Sequence, residues 1–323
     1  MIASLRDVSC LVLGGGGFIG RALIEALRRQ GARVQGFGRV GLFGKPVVDL
    51  PWIEGDFRDT VSLARAVEGN EVVFHLLGGS TPESSNVAPI SDLNASVSGT
   101  AELLEICRVE GVRKILFASS GGTVYGIPNA LPIKEAAPTN PISAYGVNKL
   151  AAEKYLYLYD YLYSIDHVVL RISNPFGPYQ SPWRRQGLVA TTILKYLCDL
   201  PIEVWGDGSV TRDYVFIDDV VDAFIKAALY SGNSNVFNIG SGVGLTVNEV
   251  IDDVATVLGI EHPGKMFKTS RLVDVPANVL DVSLAAQELN WTPRHAWFDA
   301  IRTTANWMRE NAAVRDFIEK GKL

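Results

Sequence analysis

The stretch Val8-Ser-Cys-Leu-Val-Leu13, followed at once by Gly14-Gly-Gly-Gly17-Phe-Ile-Gly20, decides the fold. A short apolar run of this kind reads as a strand buried on both faces. The glycines after it let the backbone turn tightly and let a ligand come close. A helical pattern then runs from Gly20 to Gln30 and stops at Gly31. A strand, a GxxGxxG turn and a helix in succession place a pyrophosphate on the free N–H groups of a helix N-terminus. Gly14, Gly17, Phe18, Ile19 and Gly20 are therefore candidate cofactor-binding residues.

The same alternation continues outward. Strands are expected at Arg33–Phe37, Val72–Leu77, Ile115–Ser119 and Val168–Ile172, and helices at Val61–Val67, Leu93–Glu110 and Tyr145–Tyr163. Val/Ile/Leu-rich strands separated by helices imply an α/β fold with a Rossmann-like, doubly wound parallel sheet. After Asn174 the pattern changes, with Pro175, Gly177, Pro178 and Pro182 clustered ahead of shorter segments. Residues 1–173 read as a dinucleotide-binding domain. Residues 174–323 read as a smaller α/β substrate lobe, with crossings back onto the sheet left open. A length of 323 residues agrees with two domains of about 150 each.

Composition removes several function classes. Hydrophobic residues make up 47% and charged residues 20%, which is ordinary globular usage. A net charge of −5 gives no general electrostatic footprint for nucleic acid. Cys10, Cys107 and Cys198 form no CxxC, and His75, His167, His262 and His295 form no HxxxH, so neither a disulfide framework nor a metal site is expected. The opening residues read neither as a signal peptide nor as a membrane span, and no apolar run approaches 18 residues. Reduced thiols and this composition point to the cytoplasm.

Three further segments carry chemistry. At the end of the second strand, Gly38-Arg39 stands where dinucleotide folds often hold an acid for the ribose diol. An arginine without that acid leans toward NADP, while Arg39 stacked on adenine or facing solvent leaves NAD equally open. Gly55-Asp56-Phe57 precedes a helix, where a carboxylate can receive the adenine amine. Tyr145-Gly-Val-Asn-Lys149 places a phenol and an ammonium on one helix face, where the cation is expected to lower the phenol's pKa. Ser119-Ser-Gly-Gly-Thr-Val-Tyr-Gly126 supplies hydroxyls at a strand's carboxyl end.

With these motifs assembled, the chain resembles the extended short-chain dehydrogenase/reductases, and most closely the nucleotide-sugar epimerases related to UDP-galactose 4-epimerase. The resemblance runs nearly end to end. It takes in Gly14–Gly20, Gly55-Asp56, Ser119–Gly126, Tyr145–Lys149, Arg171–Pro178, Trp205–Asp219, Asn238–Gly242 and Arg271–Asp274. It implies a nucleotide-sugar 4-epimerase with tightly held NAD or NADP, acting through a transient 4-keto sugar. Tyr145 matches the catalytic base and Lys149 its partner on the nicotinamide ribose. Asn174 matches a contact on the sugar-diphosphate side, Arg212 and Arg271 the diphosphate grip, and Trp205 the strand beside the base. Gln186, in Trp183–Gln186, is a further candidate for the substrate side; the arginines before it either meet an anion or are solvated. An NADPH-dependent nucleotide-sugar reductase and a non-catalytic cofactor-binding protein of the same fold remain as alternatives.

Two departures matter. Where many relatives carry the catalytic Ser or Thr, this chain has Gly121. Thr123 shares strand parity with position 121 and is the expected substitute, with Ser120 second. Asn278 stands where a bulky Tyr restricts the pocket of UDP-galactose epimerases, which leaves N-acetylhexosamines open. Tyr155, Tyr157, Tyr159, Tyr161 and Tyr163 recur with the period of a strand, yet must continue the Tyr145 helix. Such an aromatic face suggests an interface. The resemblance implies a homodimer through helices 93–110 and 145–163, with no nucleic-acid or membrane partner.

Overall fold

In the computed structural model, residues 2–40, 43–78, 80–181, 187–261, 264–269 and 275–319 are described. The opening stretch forms β1 (Ser9–Leu13) and α1 (Phe18–Arg29). The chain continues through β2 (Arg33–Phe37), β3 (Trp52–Ile53), α2 (Thr60–Val67), β4 (Val72–His75), α3 (Pro82–Val87) and α4 (Pro89–Leu93). A π-helical turn (Asn94–Ser98), α5 (Gly99–Glu110), β5 (Lys114–Ser120), α6 (Ala144–Tyr163) and β6 (Asp166–Ile172) complete the first half. The second half holds β7 (Asn174–Phe176), α7 (Leu188–Leu197), β8 (Ile202–Trp205), β9 (Thr211–Phe216), α8 (Ile217–Leu229) and β10 (Val236–Ile239). It ends with β11 (Gly244–Thr246), α9 (Val247–Leu258), β12 (Lys265–Lys268), β13 (Ala277–Asn278), α10 (Ser283–Glu288), α11 (Trp297–Glu310) and α12 (Ala312–Glu319).

A seven-stranded parallel sheet runs in the order β10-β6-β5-β4-β1-β2-β3. Its strands are apolar because both faces are covered: every residue of β4 is buried, and two core clusters lie on opposite sides of the sheet. The chain returns to this sheet after residue 173. β10 pairs in parallel with β6, and α8 packs against α1. The smaller layer consists of β11-β9-β13 with β7 added on β9, and of the pair β12-β8.

One local reading changes and one holds. The helix expected without interruption over 93–110 is broken into α4, the π-helical turn and α5. Ser96 Oγ donates to the carbonyl of Asp92 and Thr100 Oγ1 to that of Ser96 at 2.6 Å, so hydroxyls compete with the backbone ladder at this point. The period-two tyrosines are helical throughout: Tyr157 and Tyr161 are exposed, while Tyr159 packs on Tyr163 at 5.2 Å between ring centroids. Among the described residues no helix is long and apolar enough to cross a membrane, and no cluster of three or more His, Cys, Asp or Glu could hold a metal ion.

Candidate active site

The glycine turn is a cradle that side chains would fill. Gly14 sits at φ +83°, and its N–H donates to Phe37 O at 2.9 Å. A Cβ on Gly20 would lie 2.3 Å from Gly14 O and 2.7 Å from Gly15 Cα. Gly17 caps α1 without a side-chain acceptor, and the first turn carries no acid. The N–H groups of Phe18, Ile19 and Gly20 thus meet an incoming anion unopposed, and these residues fit the pyrophosphate of a dinucleotide. Gly38 has φ +123°, a left-handed conformation that disfavours the acid expected at this position. Arg39 is exposed. Asp56 is clasped by Arg58, with Nε at 3.0 Å and Nη2 at 3.1 Å, and those bonds pull its carboxyl down to about 2. Phe57 turns inward instead, against Gly99 and the ring of His75 at 5.2 Å.

α6 carries Tyr145 and Lys149 to the carboxyl ends of β4 and β5, the edge where doubly wound sheets bind ligands. Ser143 Oγ caps the helix by accepting from Gly146 N at 3.2 Å. The neighbouring N–H groups of Ala144 and Tyr145 donate to Asn86 Oδ1 at 2.8 Å and Ser85 Oγ at 2.9 Å, both on α3. No motif marked α3 for this role. Lys149 Nζ donates to Ala118 O at 2.8 Å and stands 5.8 Å from the centroid of the Tyr145 ring. Burial pulls the Lys149 ammonium down to about 8, opposed by the charges of Glu153 and Asp92.

The expectation that the ammonium lowers the Tyr145 pKa is corrected here. Burial, with a further push from Asp92, raises the phenol to about 12. The ammonium is engaged by a backbone carbonyl, and a phenolate would be desolvated.

The hydroxyl segment is likewise not extended. After Ser120 the chain turns, with Thr123 N donating to Ser120 O at 3.2 Å and Val124 N to the same carbonyl at 3.1 Å. The parity argument for Thr123 therefore fails. A different observation singles the residue out: Thr123 Oγ1 is buried and has no hydrogen-bond partner among the described residues. The turn lies close to α6, because a Cβ on Gly146 would come 2.9 Å from Thr123 O. Ser120 is half-buried at the start of the same turn. At Gly121 a Cβ would meet Leu280 Cδ1 at 2.5 Å and Arg171 O at 2.9 Å, so that direction is packed solid.

Beneath the site lies a buried ion pair that motif reading passed over. Arg171 Nη2 donates to Glu153 Oε2 at 2.6 Å and Nε to Oε1 at 3.1 Å; Ser119 Oγ donates to Oε1 as well. Arg171 Nη1 also reaches Tyr125 Oη at 3.0 Å, and that hydroxyl donates to Asn238 Oδ1 at 2.7 Å. Glu153 lies one turn beyond Lys149, a spacing that was legible but unused.

On the substrate side the small sheet gathers three candidates. Asn174 on β7 donates to Asp213 O at 2.9 Å, and Arg212 on β9 pairs in register with Asn278 on β13. Arg212 Nη1 donates to Val275 O at 2.6 Å. Asn278 is fully buried, and its Nδ2 donates to Gly121 O at 3.0 Å, so the side chain ties the sheet to the catalytic turn. A cavity of about 110 Å³ opens beside Asn174, Gly187, Leu188 and Tyr214. Trp205 stays 40% exposed on β8, away from that cavity, with the Lys268 ammonium 5.5 Å from its ring centroid. Gln186 and Arg271 lie outside the described residues. A larger groove of about 510 Å³ lies at the opposite edge of the sheet, around Ser9, Arg33 and Glu68, and touches none of these groups. Of the two, the smaller cavity borders Asn174, and neither is lined by Tyr145 or Lys149.

Comparison with known proteins bears on the family and the fold. A family model described as the NAD dependent epimerase/dehydratase family matches residues 10–240. A UDP-glucose 4-epimerase of Mycolicibacterium smegmatis is 36% identical over 310 residues, covering 94% of this chain and 99% of that protein. The solved UDP-glucose 4-epimerase of Thermotoga maritima, with UDP-glucose, superposes with a TM-score of 0.89 at 32% identity, covering 94% of this chain and 99% of that one. The Thermus thermophilus enzyme in complex with NAD gives 0.87 at 32% identity, covering 94% of this chain and 100% of that one.

Proposed function

The chain belongs to the NAD dependent epimerase/dehydratase family, and from that premise we propose that it is a nucleotide-sugar 4-epimerase acting on a UDP-hexose or UDP-N-acetylhexosamine. The observation that carries this reading is the placement of Tyr145, half-buried, beside Lys149, buried, on one face of α6, at the edge of the sheet that also bears the glycine cradle. A nicotinamide dinucleotide held at that cradle by Gly14, Gly17, Phe18, Ile19 and Gly20 would supply reversible hydride transfer at sugar C4, so that inversion passes through a 4-keto sugar that turns over within the site. Tyr145 Oη removes the 4-hydroxyl proton and gives it back. Lys149, cationic below about pH 8, would hold the nicotinamide ribose, and its charge together with that of a bound oxidised nicotinamide would stabilise the phenolate that burial alone disfavours. Thr123 Oγ1, with Ser120 at its side, holds the sugar oxygen as charge develops. Arg212 and Arg271 grip the diphosphate, since a guanidinium pairs with phosphate oxygens in a bidentate manner. Asn174, Gln186, Trp205 and Asn278 complete the nucleotide-sugar side.

Gly14, Gly17, Phe18, Ile19 and Gly20 hold the pyrophosphate, and Arg39, Asp56 and Phe57 the adenosine end. The family description favours NAD over NADP. A net reductase consumes one reduced nicotinamide per product, whereas the epimerase turns over without any added. The test follows C4 inversion by NMR on a panel of UDP-sugars with no cofactor added, for wild type and Tyr145→Phe. Inversion by the wild type and a loss of at least about 10²-fold in the variant are expected. Near wild-type turnover by Tyr145→Phe would sink the assignment.

The exposed apolar face of α6, with Tyr157, Leu158, Tyr161 and Leu162, supports a homodimer built on this helix and α5. A cytoplasmic location accords with the free, largely buried cysteines.

A further inference from the structure

Asp92 stands on α4 beside the catalytic helix, and nothing in the motifs draws attention to it. Its Oδ2 accepts from Asn148 Nδ2 at 2.8 Å. Asn148 is buried and lies on α6 between Tyr145 and Lys149. The helix bearing the base and the ammonium is therefore docked on α4 through a carboxylate near its N-terminal end. No hydrogen bond from the described residues reaches Asp92 Oδ1, and the side chain is half-buried, so its charge is neither neutralised nor fully solvated.

We propose that Asp92 is a positioning residue for the Tyr145–Lys149 pair: it docks α4 on α6 through Asn148 and sets the pH range over which the pair works. The inference rests on the reading of Tyr145 as the base. The charge of Asp92 reaches both groups, pushing the phenol up and holding the ammonium charged against burial.

The other groups around the pair leave Asp92 as its adjustable charge. From α6 itself comes Glu153, which Arg171 of β6 and Ser119 of β5 already engage. From β4 comes His75, fully buried, its imidazole pushed down to about 3 by burial and by Lys149, and so neutral. β5 turns the ring of Phe117 and the carbonyl of Ala118 to the ammonium. α3 contributes Ser85 and Asn86, which are uncharged, and its Glu83 is exposed. On α5, Glu105 and Arg108 pair with each other farther along, near Tyr159.

Removal of a negative charge makes a phenolate easier to form and an ammonium harder to keep. Both groups then titrate at lower pH, so both limbs of a bell-shaped profile move in the same direction. A role confined to docking would lower the rate at every pH and leave the limbs where they are.

Two variants separate charge from docking. Asp92→Asn keeps an oxygen for Asn148 Nδ2 and removes the charge; Asn148→Ala keeps the charge and removes the bond. In the cofactor-loaded protein, the kcat–pH profile with UDP-glucose is expected to shift toward lower pH by about one unit on both limbs in Asp92→Asn. A second readout needs no turnover: ζ-13C-labelled tyrosine, with Tyr145 assigned by its absence in Tyr145→Phe, is expected to titrate at lower pH in Asp92→Asn. Limbs and resonance that stay in place overturn the proposal, as does an equal shift in Asn148→Ala. If no nucleotide sugar turns over while the resonance still moves, the epimerase reading fails and the role of Asp92 stands.

Discussion

Thr123→Val separates catalysis from stability at one atom. The hydroxyl it removes is buried without a hydrogen-bond partner among the described residues, whereas the proposed mechanism has it hold the sugar oxygen. An unsatisfied buried hydroxyl costs about 1–3 kcal/mol in the ligand-free protein. Its replacement by a methyl group of similar shape should therefore leave stability unchanged or raise it within that range. Turnover should behave in the opposite way. Loss of one preorganised donor to a developing oxyanion costs about 10²–10³-fold in kcat, or about 2.7–4 kcal/mol of barrier. Urea unfolding of the ligand-free protein and NMR-monitored epimerisation on the same preparation measure the two quantities. Ser120→Ala, made alongside, should cost less in rate, since Ser120 is only the second hydroxyl of the turn. Gly121→Ser should restore nothing to Thr123→Val, because its Cβ points at Leu280 and the Arg171 carbonyl. Thr123→Val that keeps turnover within about threefold of wild type would refute the assignment. A stability loss above about 2 kcal/mol would refute the claim that the hydroxyl lacks a partner.

Gly20→Ala should open the cradle, since its Cβ would stand 2.3 Å from Gly14 O; the purified protein is expected to bind NAD at least about tenfold more weakly by calorimetry, and unchanged affinity would count against this pyrophosphate site. Glu153→Gln leaves Arg171 buried without its countercharge and should cost about 3–5 kcal/mol in urea unfolding. The double variant Glu153→Leu/Arg171→Met should recover most of that loss; a single-variant cost under about 1 kcal/mol would show the pair to be hydrated.

The large sheet was legible because it obeys local rules. β1, β4, β5 and β6 are apolar on both faces, and a strand buried on both faces announces itself without any partner. α6 was legible against its own tyrosine period because Tyr145 and Lys149 need a helix to share a face. What escaped was non-local or too short to carry a pattern. β3 is two residues long, and β10 gains its place only by pairing with β6. The π-helical turn arises from hydroxyls bonding to carbonyls one turn back, which apolar periodicity does not register. The site follows the same division. The positions of Tyr145, Lys149 and the glycine cradle came from motif spacing. The contacts that hold their helix, from Ser85, Asn86 and Asp92, came from elements whose approach no spacing encodes, whereas Glu153 on α6 itself stood at a readable spacing from Lys149.

The two glycines that stand in place of functional side chains show why residue type alone misleads. Gly38 follows from backbone conformation: at φ +123° an aspartate would be strained, so the missing acid says little about which dinucleotide binds. Gly121 follows from packing. Its Cβ direction is occupied by Leu280, and its carbonyl accepts from Asn278, so a segment near the end of the chain closes over the position from the small sheet. A serine there requires Leu280 to move, and Leu280 is itself fully buried beside Val124 and Tyr125. The hydroxyl could therefore not be restored by one substitution, and a partner for the sugar oxygen has to come from a neighbouring position. Thr123 is the position proposed here, because the turn that breaks its strand parity also brings its backbone against Gly146, one residue from the phenol of Tyr145.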